Sequence, residues 1–134
     1  MNPRYVLDTN ICIYLMKHSS PRAAERLADC RVGDVAISAI TLAELEYGVV
    51  ASGERAEQNR AALTALLEDL LVLAFDAASA KAYGPVRWQG RTRTRDALDK
   101  LIAAQALAVG AVLVTNNPGD FKDYAGLVVE NWAA

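Results

Sequence analysis

Four short runs of almost wholly apolar residues punctuate this chain: "YVL" at Tyr5–Leu7, "VAIS" at Val35–Ser38, "LVLAF" at Leu71–Phe75 and "AVLVT" at Ala111–Thr115. A strand with one wet face alternates apolar and polar residues, whereas a run that is apolar at nearly every position needs cover on both faces. Segments with helical spacing separate the four runs. Strands and helices that alternate in this way give a central parallel β-sheet flanked by α-helices, so the expected class is α/β. "LVVENW" near the end adds a short last strand.

The helical segments carry recognisable starts and stops. "SPRAAERLADC" opens on Ser-Pro and spaces Ala24, Leu27 and Ala28 along a helix. "TLAELEYGVVAS" and "ERAEQNRAALTALLEDLL" follow the second strand, and Leu63, Leu66, Leu67 and Leu70 form one apolar stripe on the latter. These two segments read as a helical hairpin inserted into the α/β series. Asp76 caps a helix over "AASAKAYGPVRW", and Gly110 closes the alanine-rich helix of "DALDKLIAAQALAVG".

At 134 residues and with no visible linker, the chain is expected to form a single domain over 1–134 around one core. No apolar run approaches the roughly 18 residues of a membrane span, and no secretory signal is visible, so a soluble cytoplasmic protein without a membrane partner is expected. Cys12 and Cys30 belong to no metal-spaced group, and the single histidine, His18, sits in a polar turn. Zinc, disulfide and Ser-His-Asp chemistry are all disfavoured. With 16 acidic against 14 basic residues and a net charge of −2, any attraction to nucleic acid must come from a local patch.

Against this background the stretch "RYVLDTNICIYLM" is anomalous, because Asp8, Thr9 and Asn10 interrupt an otherwise apolar run. Asp8 follows the first strand, Glu44 falls in the first turn of the helix after the second, and Asp120 lies in the loop after the fourth. The carboxyl ends of parallel strands and the amino ends of the helices that follow share one rim, so these three acids converge on geometric grounds. Asp99, in the first turn of a helix that follows another helix, is not placed there by the same rule. Each acid also has a structural reading. Asp8 caps the next helix, Thr41 and Glu44 form a capping box, Asp96 and Asp99 do similar work, and Asp120 is a turn residue.

Two carboxylates about 4 Å apart repel by roughly 4 kcal/mol at an effective dielectric of 20, and a bound cation reverses the sign. An all-oxygen ligand set selects a hard ion, Mg2+ or Mn2+, which can activate water and neutralise charge at phosphorus. Hydrolysis of a phosphodiester is the matching chemistry. "RWQGRTRTR" places Arg87, Arg91, Arg93 and Arg95 around Trp88, immediately before Asp96 and Asp99. Arginines grip phosphates in bidentate fashion and Trp stacks a base, so this stretch is expected to bind RNA.

The blocks "LDTNICIYLM", "AISAITLAELEYGV", "DKLIAAQALAVGAVLVTNN" followed by "DF", and "GLVVENW" resemble, in this order, PIN-domain ribonucleases, and more narrowly VapC-type toxins of bacterial toxin–antitoxin pairs. The resemblance extends from Tyr5 to Trp132. It implies a PIN-like fold and makes Asp8, Glu44 and Asp99 catalytic metal ligands. The fourth acid lies either at Asn117, two residues beyond Thr115, or at Asp120; Asp120 is the expected one, with Asn117 as a polar helper. Thr9 and Asn10 would support Asp8 and water. The resemblance further implies a Mg2+- or Mn2+-dependent endoribonuclease, usually a homodimer, that cuts RNA such as tRNA and is silenced by a cognate VapB-like antitoxin.

Other readings compete. A haloacid dehalogenase-like phosphatase also begins with a strand and an Asp, but it needs a second Asp where Asn10 stands. A catalytically silent PIN-like binding module would not need the full set of acids. A nuclease directed at DNA is distinguished by no feature of the sequence.

Overall fold

The computed structural model describes residues 2–133. The strands are β1 (Tyr5–Leu7), β2 (Val35–Ser38), β3 (Leu71–Leu73), β4 (Val112–Val114) and β5 (Val129–Glu130). The helices are α1 (Thr9–Met16), α2 (Pro21–Ala28), α3 (Ala39–Ala51), α4 (Ala56–Leu67), α5 (Ala77–Gln89) and α6 (Ala97–Val109). All strand pairs are parallel, and the sheet order is β3-β2-β1-β4-β5. The α/β class and the parallel sheet read from the sequence are therefore observed. The expected helical pair between the second and third strands is α3 and α4, joined by a 3-10 turn at Gly53–Arg55.

The apolar strands bury both faces at the centre of the sheet. Successive side chains on a strand point to opposite faces, so Leu7 joins a core with Ile11, Ile37, Leu63, Leu66 and Trp132. Val6 joins a second core on the other face, with Val86, Ile102, Ala103 and Leu113. Full burial of a side chain such as Ile102 or Leu113 contributes roughly 2 kcal/mol.

At the sheet edge the expectation fails. The third strand is three residues long rather than five, and Leu71 and Val72 are 40% and 43% exposed, because β3 has a neighbour on one side only. The fourth strand and the last are likewise trimmed, to Val112–Val114 and Val129–Glu130. Signals for helix ends fare better. Ser20 accepts from Ala23 N with Pro21 in the first turn of α2, Asp76 accepts from Ser79 N at 2.9 Å, and Gly110 ends α6 at φ +71°.

Chain order runs outward from β1 through β2 to β3 on one side and through β4 to β5 on the other. The point where that direction reverses lies between β1 and β4. A crevice opens outside the strand ends at such a point, and it is where open α/β sheets bind ligands.

Candidate active site

Asp8 stands at that reversal. It directly follows β1, its N–H donates to Val114 O at 2.9 Å, and it is 6% exposed. Its Oδ1 accepts from Ile11 N at 3.0 Å, so it does cap α1. Capping occupies one oxygen and leaves the carboxylate on the rim, and the two readings of Asp8 are compatible. Burial raises its pKa; hydrogen bonds from Thr115 and Ile11 temper the rise, and the charge of Glu44 adds to it. Thr115, just beyond β4, is itself buried and accepts from Asn117 N at 3.1 Å.

Glu44 reaches the same place by a different route from the one its sequence context suggests. Helix α3 begins at Ala39, where Ser38 Oγ accepts from Ile40 N at 3.0 Å. The cap is thus Ser38, Thr41 lies buried within the helix, and Glu44 is in the second turn rather than the first. The expected capping box does not form. Instead Thr9 Oγ1 donates to Glu44 Oε1 at 2.7 Å, with Thr41 Oγ1 at 3.4 Å, and this ties the start of α1 to α3. Asn10 is exposed on α1.

Asp99 completes the group from the first turn of α6. Its pKa is pushed up to about 6, first by burial and then by the charges of Asp8, Asp96, Asp120 and Glu44. Topology alone did not bring Asp99 to the rim, yet its carboxyl senses all four of the other acids. Asp120 sits in a 3-10 turn at Pro118–Phe121, and its Oδ2 accepts from Asn117 Nδ2 at 3.0 Å. Asp96 precedes α6 without capping it through its side chain, and its Oδ1 is buried without a hydrogen-bond partner.

Comparison with known proteins places the chain in a family. The model of the PIN domain matches residues 5–127. The chain is 39% identical to "Ribonuclease VapC2" of Rickettsia felis, over 96% of this chain and 97% of that one. It is 35% identical to the "tRNA(fMet)-specific endonuclease VapC" of Shigella flexneri, over 97% and 98%. The chain belongs to the VapC group of PIN-domain proteins. Among solved structures, VapBC2 from Rickettsia felis bound to a promoter DNA fragment superposes with a TM-score of 0.84 at 38% identity, covering 96% of this chain and 98% of that one. DNA-bound VapBC from Salmonella typhimurium gives 0.87 at 32%, covering 98% and 99%.

In this VapC-group PIN domain, no three His, Cys, Asp or Glu side chains among the described residues form a ready-made metal cage. The donor set nonetheless suits a hard cation. Mg2+ takes only one or two carboxylates and keeps several waters. Asp8, Glu44 and Asp99 repel one another, and among the described residues no Lys or Arg forms an ion pair with any of the three. A cation between them would relieve both the repulsion and the cost of burial.

The basic stretch divides in two. Trp88 is 66% exposed, and the Arg91 guanidinium lies 4.0 Å from its ring centre while Arg91 Nη1 donates to Trp88 O at 2.8 Å. Arg87 and Arg95 are exposed. Arg93 turns inward: its Nε donates to Asp123 Oδ2 at 2.9 Å and its Nη2 to Gly119 O at 3.2 Å, with Asp96 and Asp120 each 3.9 Å from Nη1. Lys100, Asp123 and Tyr124 around it were not singled out from the sequence. A lysine directly before the largely apolar run "LIAAQALAV" was the available signal.

Proposed function

We propose that this PIN domain is a divalent-metal-dependent endoribonuclease that acts as the toxin of a toxin–antitoxin pair. The reading rests above all on the acids beside the reversal of the sheet, where Asp8 directly follows β1, Thr9 bonds to Glu44, and the charges of both acids raise the pKa of half-buried Asp99. Asp8, Glu44, Asp99 and Asp120 would hold Mg2+ or Mn2+. The ion, when bound, supplies acidified water and neutralises charge developing on the phosphodiester. Thr9 fixes Glu44, Thr115 fixes Asp8, and Asn117 fixes Asp120, so three of the four ligands are oriented by a neighbour before substrate arrives. Asn10, through its backbone N–H to Asp8, and Asp96, through its charge beside Asp99, would support the same acids. Trp88, with Arg87, Arg91 and Arg95, offers a stacking ring and phosphate-binding cations for single-stranded RNA.

The kinship with a tRNA(fMet)-specific endonuclease makes the initiator tRNA the first substrate to test. The VapBC complexes among its structural neighbours favour a VapB-like antitoxin as partner. The working toxin would be a homodimer. Its substrate would be met in the cytoplasm; no helix among the described residues is long and apolar enough to cross a membrane. The test is cleavage of the purified initiator tRNA, of other RNAs and of single-stranded DNA, with Mg2+, with Mn2+ and with excess chelator. Wild-type protein should cut RNA only when metal is present, and Asp8→Asn should not cut it. Undiminished cleavage in chelator by both proteins would reject the proposal. Neutralising Arg87, Arg91 and Arg95 together should flatten the salt dependence of RNA affinity, each lost phosphate contact lowering the log–log slope by about 0.7 for single strands.

A further inference from the structure

Arg93 differs from the other arginines of its stretch in what it touches. Its guanidinium is committed to the protein by the short bond to Asp123 and by the bond to the Gly119 carbonyl. Its backbone is held as well, because Lys100 Nζ donates to Arg93 O. Lys100 is buried, with only 8% of its side chain exposed, and stands 3.9 Å from Asp96 Oδ1. Its aliphatic stem passes so close to Gly90 that a Cβ there would lie 3.0 Å from Lys100 Cε and 2.7 Å from Tyr124 Oη. Arg93 N also donates to Gly90 O at 2.9 Å. Three separate segments, 90–96, the start of α6 and 118–124, are thereby fastened at one spot.

Two of the fastened segments carry acids of the site, Asp99 in α6 and Asp120 in the 3-10 turn. We propose that Arg93 and Asp123, locked from beneath by Lys100, form a clasp that sets the spacing of Asp99 and Asp120, making Arg93 a positioning residue and not an RNA contact. This inference rests on the nuclease reading above for its catalytic consequence. The geometry supports it over phosphate binding for a simple reason. A guanidinium already bonded to a carboxylate and a carbonyl, with its Nη1 end 3.9 Å from two further carboxylates, faces acids on every side, and releasing it would strand Asp123 beside Asp120 and Asp96.

The test is a double-mutant cycle in the full chain with Arg93→Gln, Asp123→Asn, the pair together, and Arg93→Lys. Asp123 cannot bind phosphate, so an effect shared by the two single variants reports the clasp alone. Each single variant should lower kcat on RNA by up to about a hundredfold, the scale expected for misplaced reacting groups, with KM and the salt slope of RNA affinity unchanged. Each should also weaken Mn2+ binding to the RNA-free protein in calorimetry, and the double variant should be no worse than either single one. Arg93→Lys, which can keep the bond to Asp123 but not the second one to Gly119, should recover part of the loss. If Arg93→Gln alone weakened RNA binding and reduced its salt slope while Asp123→Asn did neither, Arg93 would be a phosphate contact and the clasp would be wrong. Lower melting temperatures with kcat and Mn2+ affinity intact would overturn it equally, by reducing the contacts to scaffold. Should the wild type fail to cleave RNA, the nuclease reading falls, while coupling of Arg93 to Asp123 in Mn2+ affinity still decides the clasp.

Discussion

Asp99 carries an electrostatic penalty that should be measurable without any substrate. Its carboxyl binds a proton more tightly in the folded chain, at about 6, than at the ordinary value of 3.8 in the unfolded one. A pKa raised by folding contributes stability that is fully present below about 3.8 and is lost as pH rises through about 6. Asp8 is shifted in the same direction. The metal-free protein should therefore lose stability from these two groups between pH 4 and pH 7, and thermal melts across that window should show a weaker dependence in Asp99→Asn. At pH 7 Asp99→Asn should melt higher than the wild type in chelator and yet cleave RNA orders of magnitude more slowly. A variant that is both less stable and fully active would place Asp99 in the scaffold.

Helix ends separate what the sequence disclosed from what it concealed. Signals that act over three or four residues were legible: Ser20 with Pro21, Asp76 and Gly110 all do what their chemistry dictates. The start of α3 was misread because Thr41 and Glu44 satisfy the same local pattern as a capping box, while Ser38, hidden at the end of an apolar strand, takes the role. What decided the matter was Thr9, 35 positions before Glu44, and no local pattern reports such a contact. Ser38→Ala should cost about 1 kcal/mol of stability, the usual worth of a cap, with cleavage retained. Glu44→Gln should keep its melting temperature and lose cleavage. At α5, Asp76→Asn should behave as wild type in both measurements, and Asp76→Ala should melt lower while remaining active.

For the molecule as a whole, the alternation of apolar runs and helices was enough to establish the parallel sheet, and adjacency of strand and helix ends was enough to point Asp8 and Asp120 to one rim, which Glu44 reaches from the second turn of α3 through Thr9. The place of Asp99 and the inward turn of Arg93 depend on how α6 and the 118–124 segment pack against each other, a tertiary relation with no short-range signature. Because the acids come from separate elements, a cation bound among them should brace the entire fold. Adding Mg2+ or Mn2+ at a hundred times its dissociation constant should stabilise the protein by about 2.7 kcal/mol, readable as a rise in melting temperature that Asp8→Asn abolishes. The central position of β1 has a consequence for the cell that makes this chain. Its sheet partner β4, and Asp120 beyond it, lie far along the chain from Asp8, so the acids meet only once both ends of that stretch have left the ribosome. A chain that still lacks β4 therefore holds Asp8 and Glu44 without their counterparts, and any hazard the site poses begins only once that strand is paired.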